Sequence, residues 1–302
     1  MAFKILCIAG PTASGKSARA VAEALERDGE VISVDSRQVY RGLDIGTEKI
    51  SREEMRGIPH HLIDIRDARE PYSAGDFVAD ATRLIEDISV RGKLPILAGG
   101  THFYFDALLH GLPESTPPDV KLREELEELP TEELLVRVKA ADPHRAAALD
   151  PANRRRLIRA LEIIATHGTV PPRRIPKPSS GTRSNLVKEY GVEWVVIDPP
   201  REELRARIDA RLAAALLRGL VEEVGRVREQ VGDARLAELG LEYRIVGEYL
   251  SRSAEATQDA ARLKQALLPI LSAKLWQYAR RQKAWLRKLS LATGVPSRSG
   301  RN

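Results

Sequence analysis

A short apolar run, a glycine-framed loop and a helix-forming run follow one another at the start of the chain, and this order restricts the fold more than any other feature. The loop is Gly10, Pro11, Thr12, Ala13, Ser14, Gly15, Lys16 and Ser17, a complete G-x-x-x-x-G-K-[ST] phosphate-binding pattern. Before it, residues 4–9 read as a buried strand. After it, residues 18–28 read as a helix. A strand feeding such a loop aims backbone N–H groups and the positive end of the helix dipole at an anion. Lys16 adds a compact charge and the Ser17 hydroxyl can hold Mg²⁺. A di- or triphosphate is therefore expected as one substrate.

The first third of the chain alternates strand and helix. Strands are expected over residues 4–10, 30–35, 61–65 and 94–99, with helices over 18–28 and 73–91. Ser73 and Asp76 have capping-box spacing at the start of the second helix. Alternation of this kind implies a parallel sheet covered by helices, with ligands at the carboxyl ends of its strands. Asp35 and Thr101 then fall at the same edge as the loop. The pattern stops at the Pro-rich stretch 113–119. Residues 120–167 are almost all helical, acidic over 124–133 and basic over 153–159. A Pro/Ser/Arg-rich loop follows at 169–184, and residues 193–198 return to strand. Helices are expected over 202–219, 221–231 and 258–288, the first with an apolar stripe of Leu204, Ile208, Leu212 and Ala215. The expected organisation is an α/β core of 1–115 and 191–290, an inserted all-helical domain of 116–190, and a flexible tail of 291–302.

The 302 residues, 43% hydrophobic and 30% charged, suit one large or two modest globular domains. A net charge of +5 permits a nucleic-acid partner without demanding one. Cys7 is the single cysteine, which excludes an intrachain disulfide and a cysteine-based zinc site, and it reads as core. No leader is expected before the first strand, and no apolar run approaches the ~20 residues of a membrane span. A cytosolic protein with no membrane partner, working as a monomer, is expected.

Asp35 can hold Mg²⁺ through water, take a proton from a nucleophile beside the phosphates, or cap the next turn. Gln38 carries a donor and an acceptor that can read an adenine edge. Gly99 and Gly100 allow close approach of a ligand, and Thr101 can donate to a phosphate or bridging oxygen, or simply cap a turn. Arg154, Arg155, Arg156 and Arg159 form a helical cluster that reads either as a phosphate-contacting surface or as a solvated, acid-paired face. Arg281 and Trp285 lie one turn apart on the last helix, where a core tryptophan flanked by surface charge is the plainer reading. His60 and His61 point to opposite sides of a strand and read as structural.

Together these segments resemble one family, the tRNA dimethylallyltransferases. The matching pieces are the loop, Asp35-Ser-Arg-Gln-Val-Tyr40, Asp44-Ile-Gly-Thr47, Pro59-His-His-Leu-Ile-Asp64 and Tyr72-Ser-Ala-Gly-Asp-Phe77. Further on are Pro95-Ile-Leu-Ala-Gly-Gly-Thr101, Arg159-Ala-Leu-Glu162 and Arg281-Gln-x-x-Trp285. The resemblance implies a P-loop NTPase-like core and transfer of a dimethylallyl group from dimethylallyl diphosphate to N6 of the adenosine beside the tRNA anticodon. It implies Asp35 as base, with Lys16, Thr101, Arg211 and an Mg²⁺ on Ser17 stabilising the departing diphosphate. It implies tRNA contacts from Asp35, Ser36, Arg37, Gln38 and Thr101, and from Arg123, Arg155, Arg156, Arg159 and Arg281, clamping the anticodon stem-loop. The chain departs from the family where Gly-Leu-Tyr commonly follows Gly-Gly-Thr and His102-Phe-Tyr104 stands instead, and where Leu239-Gly-Leu-Glu-Tyr243 replaces an Ile-Gly-Tyr motif. Ala215 stands where a methionine is common. Without the cysteines of a zinc-finger extension, a bacterial-type enzyme is implied. Prenylation of free adenine nucleotides, an ATP-binding small-molecule kinase and a non-catalytic RNA-binding protein are the alternatives. The arginine cluster argues against the first, the Asp35-Ser-Arg-Gln38 match against the second, and the intact Lys16, Ser17, Asp35 and Thr101 against the third.

Overall fold

The computed structural model describes residues 3–112, 119–170, 190–253 and 260–293. Strands β1 (Phe3–Ala9), β2 (Gly29–Val34), β3 (His60–His61), β4 (Leu94–Gly99) and β5 (Tyr190–Val196) form one sheet in the order β3-β2-β4-β1-β5. Every strand pairing in it is parallel. β4 lies between β1 and β2, and Gly99 is in register with both Ala9 and Val34. The chain therefore leaves three adjacent strands at one level, into Gly10, Asp35 and Gly100.

Along β1 the side chains alternate between two cores, as the pleat requires. Leu6 and Ile8 face α1 (Lys16–Arg27), packing with Ala20 and Ala24. Ile5, Cys7 and Ala9 face the larger core, shared with α3 (Ala74–Val90) and α4 (His102–His110). Cys7 is core, as expected, and burial pushes its thiol well up. α3 starts where the capping box puts it: Ser73 Oγ accepts the Asp76 N–H at 3.2 Å and Asp76 Oδ2 accepts the Ser73 N–H at 2.8 Å. A shorter helix, α2 (Arg52–Met55), is capped in the same way by Ser51.

The chain divides into two compact units, Met1–Leu109 with Ser184–Asn302, and His110–Arg183. The second unit contains α5 (Val120–Glu127), α6 (Thr131–Ala141), α7 (Pro143–Ala148) and α8 (Arg154–His167) around its own core, in which Leu134, Val138 and Leu157 are fully buried. In the first unit β5 leads into α9 (Arg201–Leu217), α10 (Leu220–Glu238), α11 (Leu241–Ser253) and α12 (Ala260–Thr293). The α9 stripe of Leu204, Ile208, Leu212 and Ala215 is buried as its spacing requires.

Three helices were expected after β5, and the described residues form four. α10 runs past 231, through a kink at Gly232 (φ 73°). α11 occupies a stretch assigned no element because Gly247 interrupts its apolar pattern; that glycine lies directly against Leu236 of α10. α4, likewise unassigned, is an almost wholly buried helix and so lacks an amphipathic signature. β3 is only two residues long, shorter than expected. The stretch 113–118, most of the 169–184 loop and the tail from 294 lie outside the described residues. Among the described residues no helix is long and apolar enough to cross a membrane.

Candidate active site

After β1 the loop passes through left-handed backbone at Ala13 (φ 61°) and Gly15 (φ 88°), and α1 begins at Lys16. Successive N–H groups in such a turn form a concave anion cradle. Lys16 folds back over it, donating from Nζ to the Pro11 carbonyl at 2.7 Å. Burial pulls the Lys16 ammonium down to about 8, an effect that Asp35 opposes and Arg211 adds to. Ser17 is exposed in the first turn of α1. From α9, Arg211 reaches the loop and donates to Thr12 Oγ1. It also pairs with Glu242 Oε1 at 3.1 Å and Glu48 Oε1 at 3.5 Å. Burial pushes Glu242 up, and Arg211 offsets part of this.

Asp35 follows β2 directly. Its Oδ1 accepts the Arg37 N–H at 2.8 Å and the Gln38 N–H at 3.3 Å, an Asx-type turn. Capping and chemistry are thus compatible here, because Oδ2 is left out of the turn. Thr101 donates its backbone N–H to the Val34 carbonyl at 3.1 Å, and its Oγ1 accepts the Ser36 N–H at 3.1 Å. The threonine joins the β2 and β4 turns and keeps its hydroxyl proton for another acceptor. Lys16, Asp35, Thr101 and Arg211 thus share one end of the sheet.

The IPP transferase family profile matches residues 38–289. The chain belongs to that family. It is 42% identical over 293 residues to the tRNA dimethylallyltransferase of Thermomicrobium roseum, covering 94% of this chain and 84% of that protein. It is 40% identical to the tRNA dimethylallyltransferase of Anaeromyxobacter sp. strain Fw109-5, covering 94% and 92%. The solved structure of the full-length tRNA isopentenylpyrophosphate transferase from Bacillus halodurans superimposes with a TM-score of 0.65 at 35% identity, covering 94% of this chain and 86% of that one. A eukaryotic dimethylallyltransferase, described as acting on tRNA, superimposes with a TM-score of 0.75 at 28% identity, covering 94% and 70%.

In this IPP transferase chain several sequence-singled residues hold other parts of the site. Gln38 Nε2 donates to the Thr47 and Glu48 carbonyls, both at 3.2 Å, and its Oε1 accepts the Ser33 hydroxyl at 3.0 Å. Both amide hydrogens are engaged with the scaffold, and Ser33 takes one of the two acceptor positions on Oε1. Arg37 contributes its backbone N–H to the Asp35 turn. The Asp44-Ile-Gly-Thr47 segment is gripped by a residue sequence reasoning missed. Buried Glu223 of α10 accepts the N–H groups of Asp44 (3.0 Å), Ile45 (2.8 Å) and Gly46 (2.9 Å), and the Tyr243 hydroxyl (2.6 Å). Gly46 is needed because a Cβ there would meet the Tyr243 ring at 2.7 Å.

Gln282 is a second missed residue. Its Oε1 accepts the Thr12 N–H and its Nε2 donates to the Gly100 carbonyl, both at 2.9 Å, so α12 clamps the phosphate loop to the β4 turn. The only available signal was its place inside Arg281-Gln-x-x-Trp285. Trp285 stacks on His102, ring centroids 4.3 Å apart, and donates to Asp106 Oδ2 at 2.9 Å. Burial pushes His102 down to about 3, with Lys16 adding to the effect, so the ring is neutral. Arg281 is exposed on α12. His60 bonds the Ile58 carbonyl and His61 bonds Glu30, so both are structural as expected.

In the helical unit the arginine cluster separates by partner. Arg123 makes a bidentate pair with buried Glu162 at 2.8 and 2.9 Å, and Arg159 joins it at 3.0 Å. Arg154 turns to the carbonyls of Leu126, Glu127 and Leu129 at the end of α5. Arg155 and Arg156 are exposed. Arg154 also pairs with the Glu127 carboxylate at 3.3 Å, while Arg159 of the cluster, and Arg123 outside it, pair with Glu162. The reason is that Glu162 is buried on the same helix face and a buried carboxylate requires a partner.

Proposed function

We propose that this enzyme transfers the dimethylallyl group of dimethylallyl diphosphate to N6 of the adenosine on the 3′ side of a tRNA anticodon, releasing diphosphate. The observation that carries the reading is the convergence, at the ends of adjacent strands, of a lysine-bearing phosphate cradle and an aspartate whose Oδ2 makes no hydrogen bond among the described residues. The diphosphate lies in the cradle, against Lys16, the Thr101 hydroxyl and Arg211. N6 is a weak nucleophile because its lone pair is delocalised into the ring, so alignment and leaving-group stabilisation carry the rate. The N6 lone pair forms the C–N bond while the allylic C–O bond breaks. Its electron pair leaves with the diphosphate, and the N6 proton passes to Asp35 Oδ2.

The residues present fit an Mg²⁺ that arrives on the diphosphate. Among the described residues no cluster of three His, Cys, Asp or Glu offers a metal cage. Mg²⁺ commonly keeps its waters and takes substrate phosphate oxygens plus few protein ligands. The exposed Ser17 hydroxyl would hold it, and when bound it would neutralise charge on the leaving group. Exposed Arg155 and Arg156 of α8 and Arg281 of α12 are the proposed RNA-phosphate contacts, and the cytosol is the working compartment. A transfer assay with labelled dimethylallyl diphosphate, Mg²⁺, an anticodon stem-loop RNA and, separately, AMP tests the reading. Label on RNA is expected; label on AMP alone, or on neither, overturns it. Asp35→Asn should retain RNA binding and lower turnover about a hundredfold or more; unchanged turnover removes Asp35 as the base.

A further inference from the structure

On α12, Tyr278, Gln282 and Trp285 are spaced i, i+4 and i+7 and so share a face. The direction of that face is established by Gln282, whose amide bridges Thr12 of the phosphate loop and the Gly100 carbonyl. Tyr278 lies one turn before this clamp. Trp285 is occupied, stacked on His102 and bonded to Asp106. Tyr278 is not: among the described residues its ring has no aromatic neighbour, its hydroxyl has no hydrogen bond, and the side chain is 37% exposed. Burial, followed by the fields of Asp35 and Glu242, pushes its phenol up to about 12, while Arg37 and Arg281 oppose them. The hydroxyl therefore stays protonated in the neutral range, and the charges acting on it include the proposed base.

An enzyme that alkylates a base amine must bring the base out of its stack, at a cost of a few kcal/mol. An aromatic face inside the site recovers part of that cost, because stacking a base on a side-chain ring is favourable for any base. We propose that Tyr278 is the stacking platform for the extruded adenine, holding the base plane so that N6 meets Asp35. This rests on the transfer reaction proposed above. The assignment makes the ring, rather than the hydroxyl, the functional part of Tyr278.

The test compares Tyr278→Phe, Tyr278→Leu and Tyr278→Ala with wild type, using an anticodon stem-loop RNA, dimethylallyl diphosphate and Mg²⁺. Tyr278→Phe should stay within about twofold in kcat/KM for RNA, whereas Leu and Ala should lose about tenfold or more, with KM for dimethylallyl diphosphate unchanged. Independently of turnover, RNA carrying 2-aminopurine at the target position should fluoresce more strongly when bound to Tyr278→Ala than to wild type, because the quenching ring is gone. Leu matching Phe, Phe losing as much as Ala, or equal fluorescence of the two complexes overturns the platform. Wild-type protein that transfers nothing to the RNA overturns the underlying reaction instead, so the two failures are distinguishable.

Discussion

Replacing Glu223 by Gln tests whether a remote carboxylate builds the site. The carboxylate is 2% exposed and accepts four hydrogen bonds, from Asp44 and Ile45 on Oε2 and from Gly46 and Tyr243 on Oε1. A glutamine keeps one oxygen. Its cheapest orientation puts the NH₂ at the Oε1 position, where the Tyr243 hydroxyl can turn and accept. The Gly46 N–H is then stranded, at about 1–3 kcal/mol, and the two bonds that remain lose their charge assistance, roughly 1 kcal/mol each. The sum is about 3–5 kcal/mol. At roughly 2 °C per kcal/mol for a chain of this size, the thermal midpoint falls by about 6–10 °C. The effect extends to catalysis through two further contacts. Gln38 leans on the Thr47 and Glu48 carbonyls, and Glu48 pairs with Arg211. Loosening the segment should therefore lower kcat/KM for dimethylallyl diphosphate at 25 °C, well below the melting transition. Tyr243→Phe keeps all three backbone contacts and should cost only about 1 kcal/mol. Calorimetric unfolding and initial rates on both variants provide the check. A Glu223→Gln midpoint within about 1 °C of wild type, with normal rates, would refute the argument.

The other predictions concern titration and the arginines. Lys16 is held down to about 8, so its ammonium is lost as pH rises through that value, and the Kd of dimethylallyl diphosphate should climb above it; a Kd flat from about pH 7 to 9.5 removes Lys16 as a charged ligand. Arg91, with His61, holds Glu30 down to about 2 against an ordinary 4.5. Its contribution is complete above the ordinary value and is lost as pH falls from there to about 2, since the unfolded chain binds the proton first. Glu30→Gln should cost on the order of 2 kcal/mol at neutral pH, allowing for solvent screening at Arg91, and should flatten that acid limb in urea melts. Replacing Arg155 and Arg156 together by Ala should weaken RNA binding and reduce its salt slope by about one to two, whereas Arg123→Ala should mainly lower the melting temperature by stranding Glu162. A salt slope unchanged in the double variant would leave α8 with no RNA role.

What the chain determines locally was legible. The phosphate loop, the Ser73 capping box and the α9 stripe depend on residues a few positions apart, so spacing alone specifies their hydrogen bonds and faces. Asp35 and Thr101 could be placed at strand ends for the same reason. α11 was hidden because a glycine that permits tight helix packing looks, in one dimension, like a glycine that ends a helix. Three features only the tertiary structure decided. β4 inserts between β1 and β2, which puts Gly10, Asp35 and Gly100 side by side. Glu223 and Gln282 reach their partners across 177 and 270 residues respectively. Arg123 and Arg159 are committed to one buried carboxylate, while Arg155 and Arg156 stay exposed on the same helix as Arg159. Periodicity tells which face a side chain occupies, but a hydrogen-bond partner is chosen by distance in space. A polar residue therefore reads the same in sequence whether it will meet a substrate or the protein's own backbone.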